Sequence, residues 1–190
     1  MSTHNEITIE DVQRFHGHVC PGLVLGYRMA TAAMTALGCT RSGDEELTAI
    51  VENDACGVDA LQLVTGCTMG KGNLFFKDYG KMIFTVMKRN TGEAVRVAPS
   101  REQDARRTKS TMSPEDRQKM IQWLLDSPEN EVLTIQMIAM EPQPYAKIRT
   151  SIECTQCHEL VMESRIRVHA GKYVCIPCVE ILERQPRSGS

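Results

Sequence analysis

The sequence predicts an α+β domain, a mixed sheet with helices, followed by a small cysteine-rich module. First, helix and strand patterns alternate along most of the chain, which is typical of an α+β arrangement. Second, closely spaced cysteine pairs are confined to the last forty or so residues. Third, 190 residues with 42% hydrophobic and 24% charged side chains are enough to bury a core. We therefore expect a main domain over residues 1–148 and a module over 149–190.

The elements of the main domain follow from local signals. Thr8, with Asp11 three residues later, is an N-cap for a helix that runs toward Phe15. Pro21 opens a second helix, and Gly38 ends it after Leu37. The further predictions are a strand Leu47–Val51, a helix Cys56–Val64, an ordered loop 65–80, a hairpin of Lys81–Lys88 and Glu93–Ala98, a helix Ser113–Leu125 and a strand Val132–Met140.

Charge and hydropathy exclude some classes of protein. The formal net charge is −2, from 22 basic and 24 acidic residues, which argues against a strongly basic nucleic-acid binder. The longest apolar stretch, Gly22 to Leu37, is interrupted by Arg28 and is too short to span a membrane. The N-terminus is acidic and lacks the basic and apolar regions of a secretory signal. We expect a cytoplasmic protein with no membrane segment.

Four of the eight cysteines form two Cys-x-x-Cys pairs separated by 17 residues. Each pair presents two sulfurs from one turn, and this spacing is typical of a tetrahedral zinc site. A hairpin around Ala170-Gly171 lies between the pairs and a short helix follows them, which is the order of a treble-clef or zinc-ribbon fold. The predicted zinc ligands are Cys154, Cys157, Cys175 and Cys178. Because four thiolates fill a tetrahedron, we expect this zinc to be structural.

A second cluster lies in the stretch FHGHVCPG, residues 15–22. Alternate residues of an extended segment share one side, so His16, His18 and Cys20 are expected to point the same way. Two imidazoles and a thiolate suit a transition metal, which predicts a second metal site. Cys20 also precedes a helix N-terminus, where the helix dipole favours a thiolate and hence a catalytic role. The alternative is a packing histidine and a small buried cysteine.

Two further segments are candidate partners of this cluster. In residues 53–59, Cys56 lies near a helix start between Asp54 and Asp59, which makes it a second candidate catalytic thiol. Residues 65–73 contain Cys67 and Lys71 among glycines that allow a ligand close to the backbone, and Lys71 is suited to an anion. The spacing is not that of a phosphate-binding P-loop. Asp54 and Asp59 are equally compatible with surface or helix-capping roles.

Three stretches, in this order, resemble the FmdE family of formylmethanofuran dehydrogenase proteins: FHGHVCPGLVLGYRMA (15–30), NDACGVDALQLVTGCTMGKGNL (53–74) and CTQCHELVMESRIRVHAGKYVCIPC (154–178). The family is named after a protein that accompanies a molybdenum or tungsten enzyme, which makes formylmethanofuran. The resemblance implies an α+β core, a homodimer and a groove lined by the first two stretches. The groove residues that it implies are His16, His18, Cys20, Asp54, Cys56, Asp59, Cys67 and Lys71. The third stretch is similar to a zinc-finger tail that some members carry. No pterin site or iron–sulfur ligand set is evident, so a catalytic role with formylmethanofuran does not follow.

Three functions remain open from the sequence. We favour a metal-binding accessory protein of molybdenum or tungsten enzymes. The first alternative is an independent enzyme that uses Cys20 or Cys56 as a thiolate or in metal-dependent chemistry, helped by His16 or His18. The second is a regulator whose zinc module contacts nucleic acid or protein. Residues 149–190 carry six basic and five acidic residues, a balance that argues against phosphate binding.

Overall fold

A computed structural model describes residues 7–107 and 112–184 and divides the chain into two units, Met1–Ala146 and Lys147–Ser190. Residues 1–6, on which the prediction about a secretory signal partly rests, lie outside the described residues. The helices of the first unit are α1 (Ile9–His16), α2 (Pro21–Leu37), α3 (Gly57–Thr65), α4 (Arg101–Arg107), α5 (Pro114–Asp126) and α6 (Glu129–Val132). Its strands are β1 (Leu47–Val51), β2 (Leu74–Phe76), β3 (Phe84–Lys88), β4 (Glu93–Pro99) and β5 (Leu133–Ala139).

The strands of the first unit form one five-stranded mixed sheet, in the order β2-β1-β3-β4-β5. Strands β1 and β2 are parallel, and the other neighbours are antiparallel. In the β3–β4 hairpin, Phe84 pairs with Val97 and Val86 with Val95, so these four fully buried side chains share one face. This mixed sheet with helices confirms the α+β prediction.

Helix α2 forms the main core with that face of the sheet. It begins at Pro21 and ends at Gly38 in the left-handed conformation, as the sequence predicts. The side chains of Leu23, Val24 and Met29 are fully buried in one cluster with the β3 and β4 residues. An apolar helix packed on a sheet explains why α2 carries few polar residues and no acidic residue in its first turn.

Helices α2 and α3 cross with their backbones in contact at two glycines. A Cβ placed on Gly26 would lie 2.2 Å from the Cα of Gly57, which no side chain can occupy. A Cβ on Gly57 would lie 3.0 Å from the Cα of Gly26 and 2.8 Å from the Met82 Cε. The absence of side chains at the crossing allows the N-termini of the two helices to lie side by side.

Some local elements differ from the sequence prediction. Strand β2 lies in the segment expected to be a loop, since a three-residue strand has too short a pattern to be recognised without its partner β1. Strand β3 begins at Phe84 instead of Lys81. Helix α4 lies in a polar segment with no helix prediction.

The second unit contains two small antiparallel hairpins and one helix. Its elements are β6 (Ser151–Glu153), β7 (Leu160–Met162), a 3₁₀ turn (Glu163–Arg165), β8 (Ile166–His169), β9 (Lys172–Cys175) and α7 (Ile176–Arg184). Its core consists of Val174 and three buried cysteines, with Val161, Val179 and Leu182 packed around them. So small a core is typical of a module that depends on a bound metal. Among the described residues, no helix is long and apolar enough to cross a membrane.

Candidate metal centre and adjoining groove

The ends of three helices bring His16, Cys20 and Cys56 together. His16 is the last residue of α1, Cys20 is the N-cap of α2 and Cys56 is the N-cap of α3. One ligand atom from each of the three residues lies within 4.8 Å of the others. In a tetrahedral site with arms of about 2.0–2.3 Å, ligand atoms lie about 3.4–3.8 Å apart. A small contraction would therefore allow these three residues to hold one metal ion.

The His16 imidazole is oriented by Asp59, a residue of α3. The Nδ1 atom of His16 lies 2.7 Å from the Asp59 Oδ2. The Nε2 atom is buried and has no hydrogen-bond partner among the described residues. A metal-binding histidine characteristically bonds a carboxylate through one nitrogen and the metal through the other. His16 and Asp59 have this arrangement, with Nε2 as the free donor atom.

His18 is outside this three-residue cluster. The stretch is not a continuous extended segment, because His16 ends a helix and Gly17 has a φ of 98° in the left-handed region. The exposed His18 instead places its ring 4.6 Å from the ring of His16, centroid to centroid. The third member of the cluster with His16 and Cys20 is therefore Cys56, whereas the sequence pattern predicted His18.

The two thiols of the cluster differ in their surroundings. The Cys20 Sγ accepts a hydrogen bond from the backbone N–H of Leu23 at 3.4 Å, as an N-cap side chain does. Cys56 makes no such capping bond. Burial, and then the neighbouring Cys20 thiol, raises the pKa of Cys56 above its ordinary value of 9.0. Burial therefore disfavours the thiolate form of Cys56.

A groove of about 400 Å³ adjoins the cluster and includes His16 and Cys56 in its wall. The side chains of Val51, Val58, Leu74, Met69 and Phe76 make most of the remaining wall apolar. Its charged lining residues are Asp54 and Asp59. Asn53 holds the loop before α3, since its side chain donates to the Lys81 carbonyl at 2.7 Å and accepts from the Ala55 N–H at 3.0 Å. The sequence showed no signal for the apolar wall, since its residues belong to separate elements.

Cys67 and Lys71, also predicted for the groove, are not among its lining residues. Cys67 is fully buried in the core, and burial raises the pKa of its thiol to about 11. The Lys71 ammonium lies 3.3 Å from the carbonyl oxygens of Ser42 and Gly43. The charged lining of the groove is therefore acidic, and the anion-binding lysine expected from the sequence is bonded elsewhere.

The four C-terminal cysteines form the second cluster. One sulfur from each of Cys154, Cys157, Cys175 and Cys178 lies within 4.8 Å of the others. The Sγ atoms of Cys157 and Cys175 are 3.9 Å apart, against about 3.8 Å for two sulfurs on one tetrahedral zinc. Backbone N–H groups of Cys157 and Cys175 lower the pKa of Cys154 to about 6. The arrangement of the four sulfurs and the lowered pKa of Cys154 fit a four-cysteine metal site of the zinc-ribbon type.

Fold and sites together define a class of protein: a five-stranded α+β domain with an imidazole–thiol cluster beside a groove, joined to a four-cysteine module. A family model described as FmdE, of the molybdenum formylmethanofuran dehydrogenase operon, matches residues 15–134. The chain belongs to the FmdE family, which confirms the resemblance seen in the sequence. Within residues 7–107 and 112–184, this family member has two groups of residues that could bind metal.

The chain is also similar to one solved structure and to one named protein. A crystal structure of a tungsten formylmethanofuran dehydrogenase FmdE-like protein from Syntrophus aciditrophicus superposes with a TM-score of 0.69 at 24% identity, over 94% of this chain and 97% of that one. A protein of Archaeoglobus fulgidus named as a probable S-adenosyl-L-methionine-binding protein is 31% identical over 179 residues. That match covers 82% of this chain and 49% of the relative, so the chain spans about half the relative's length.

Proposed function

We propose that this chain is a metal-binding accessory protein that holds a transition metal through His16, Cys20 and Cys56. One observation carries the proposal: the ligand atoms of these three residues converge within 4.8 Å, and His16 has a buried, unpartnered Nε2 on the side opposite its bond to Asp59. The donor set of one nitrogen and two sulfurs suits zinc and other borderline-soft metals.

The three donors leave one tetrahedral position for a ligand that enters from the groove. Catalytic metal sites keep such an open position, whereas structural sites fill it. A metal bound here would supply a Lewis acid, and the protein would hold His16 in place through Asp59 and exclude water with the apolar wall. The raised pKa of Cys56 argues against its use as a free thiolate nucleophile. We therefore place metal binding ahead of metal-free thiol catalysis.

Metal stoichiometry tests the site directly. We expect about two metals per chain in the protein purified without added metal, measured by elemental analysis. The variant Cys56→Ser should retain about one. The matched control Cys39→Ser changes a half-buried cysteine outside both clusters and should keep both metals. Equal metal content in the Cys56→Ser and Cys39→Ser variants would contradict the proposed site.

We also propose zinc as the metal of the four-cysteine module, and a cytoplasmic homodimer that associates with a molybdenum or tungsten enzyme. The four-sulfur geometry supports zinc, and the family's operon supports the partner. Strand β5 lies at the edge of the sheet with Met137 47% exposed, which leaves a surface for a second copy. Light scattering measures the dimer, and affinity purification from the native host measures the partner. A monomer that retains no such enzyme would contradict both parts.

A second candidate function is the binding of S-adenosyl-L-methionine in the groove, as the name of the Archaeoglobus relative suggests. The charge of the groove favours it, because its charged lining residues are both carboxylates and the ligand carries a positive sulfonium. S-adenosyl-L-homocysteine has the same adenosyl and amino-acid parts but lacks the positive charge on sulfur. We expect calorimetry to show tighter binding of the sulfonium form, and a smaller difference in Asp54→Asn. Equal affinity for the two compounds would argue against charge recognition in this groove.

A further inference from the structure

Cys20 and Cys56 face each other from two helix N-termini that the chain holds in a defined position. Their ligand atoms lie within 4.8 Å, although 36 positions separate them in the sequence. The crossing of α2 and α3 at Gly26 and Gly57 has no side chains between the backbones, so the two N-termini cannot drift apart without breaking a close contact. The proximity of the two sulfurs is thus a consequence of the core.

A disulfide requires the two sulfurs, which lie within 4.8 Å of each other, to approach further. An S–S bond is about 2.05 Å long, and its Cβ atoms lie about 3.8 Å apart. Cys56 has no capping bond to lose, and the bond that Cys20 accepts from Leu23 is long at 3.4 Å. The capping bonds therefore offer little resistance to rotation of the two side chains toward each other.

Small oxidants can reach this pair. Both cysteines are partly exposed, and Cys56 lies in the wall of the open groove. Cys67, by contrast, is fully buried in the core. Reactivity toward an oxidant requires access to the sulfur and a thiolate. Burial denies both to Cys67, because it also raises the pKa of that thiol to about 11, so the pair is favoured.

We propose that Cys20 and Cys56 form an oxidative modification site, in which hydrogen peroxide converts the two thiols into a disulfide and releases the metal of the groove. The Cys20 sulfur attacks peroxide as a thiolate and becomes a sulfenic acid, and its proton leaves with the released hydroxide as one water. The second thiol attacks that sulfur, the S–S bond forms and the second water leaves. The two sulfurs lose two electrons in total, and peroxide gains them. A dithiol reductant reverses the change by thiol–disulfide exchange.

Metal release follows from the ligand count. A disulfide sulfur is a poor ligand beside a thiolate, so oxidation leaves His16 as the remaining donor of the three. The metal leaves as a divalent cation, and the protons on the two waters come from solvent. This half of the inference rests on the proposed metal site, whereas formation of the disulfide in the metal-free chain does not.

Peptide mapping of the full chain tests the disulfide. The protein, metal-free or metal-loaded, is treated with hydrogen peroxide, alkylated and digested with trypsin. The tryptic peptide 15–28 contains Cys20 alone, and the peptide 42–71 contains Cys56 and Cys67. We expect these two peptides to be linked, two hydrogens lighter than their sum and separated again by dithiothreitol. The link should be absent in Cys56→Ser and retained in Cys67→Ala.

Metal analysis of the same samples tests the release. We expect one metal to leave the loaded chain for each linked pair of peptides. Recovery of Cys20 and Cys56 as separate sulfinic acids or as alkylated thiols, with no linked peptide, would overturn the proposal. A linked pair in a chain that binds no metal at the groove would refute the metal site and the release, and would leave the disulfide standing. Metal bound at the groove without any linked pair would refute the modification site alone.

Discussion

Removal of the Asp59 carboxylate isolates the contribution of the residue that orients His16. In Asp59→Ala, the Nδ1 of His16 loses a partner at 2.7 Å and the imidazole is free to rotate. The His16 side chain is 13% exposed and that of Asp59 38%, so the bond is partly shielded from water. A hydrogen bond to a charged group contributes about 1.5–3 kcal/mol, and the exposure of Asp59 favours the lower end.

A loss of this size corresponds to about 10- to 100-fold in metal affinity, the range found for such outer partners. Competitive titration of Co²⁺ or Zn²⁺ against a chelator of known affinity measures it at the groove site. The matched control is Asp54→Asn, which removes a carboxylate from the same groove without touching the His16–Asp59 bond. If Asp59→Ala bound metal within about twofold of the unaltered protein, or no more weakly than the control, the orienting role would be refuted.

Three further predictions concern stability. Gly26→Ala places a Cβ 2.2 Å from a backbone atom of α3 and should lower the free energy of unfolding, measured by urea denaturation, by about 1–3 kcal/mol. The control Gly70→Ala, whose Cβ would have no atom within 4 Å, should show no loss from a clash. Equal losses in the two variants would contradict the close crossing of α2 and α3. Hydrogen bonds from Ser42 and from a backbone N–H lower the pKa of Glu46 from 4.5 to about 2. The stability from Glu46 is therefore present above pH 4.5 and lost as the pH falls toward 2, so the difference between the unaltered protein and Glu46→Gln should shrink over that window. Removal of metal by a chelator should abolish hydrogen-exchange protection in the four-cysteine module, because the core of that module is small, and should leave β3 and β4 protected. Unchanged protection in the module would contradict a structural metal.

Local patterns were sufficient where the structure depends on neighbours in sequence. Pro21 and Gly38 set the ends of α2, because proline suits the first helical turn and glycine the left-handed cap. The Cys-x-x-Cys pairs predicted the four-cysteine cluster, since a tight turn presents both sulfurs on one side. Motif order along the chain was enough to recognise the family.

The composition of the groove site was decided by tertiary structure. The alternation of side chains in an extended segment predicted that His18 lies with His16 and Cys20. Gly17 is in the left-handed conformation, so the segment is not extended, and Cys56 is the third residue of the cluster instead. No local pattern shows that α2 and α3 cross through two glycines, which is what brings Cys56 to Cys20. Likewise, only the three-dimensional packing places Cys67 in the core and directs Lys71 to two carbonyl groups.

The sequence by itself determined the fold class, the family, the ends of α2 and the four-cysteine cluster, because each depends on residues a few positions apart or on motif order. The tertiary structure alone decided which residues meet at the groove and what charge its wall carries. The physical reason is that two helix N-termini far apart in sequence are held together by a backbone contact at Gly26 and Gly57, and such contacts depend on the packing of the whole core.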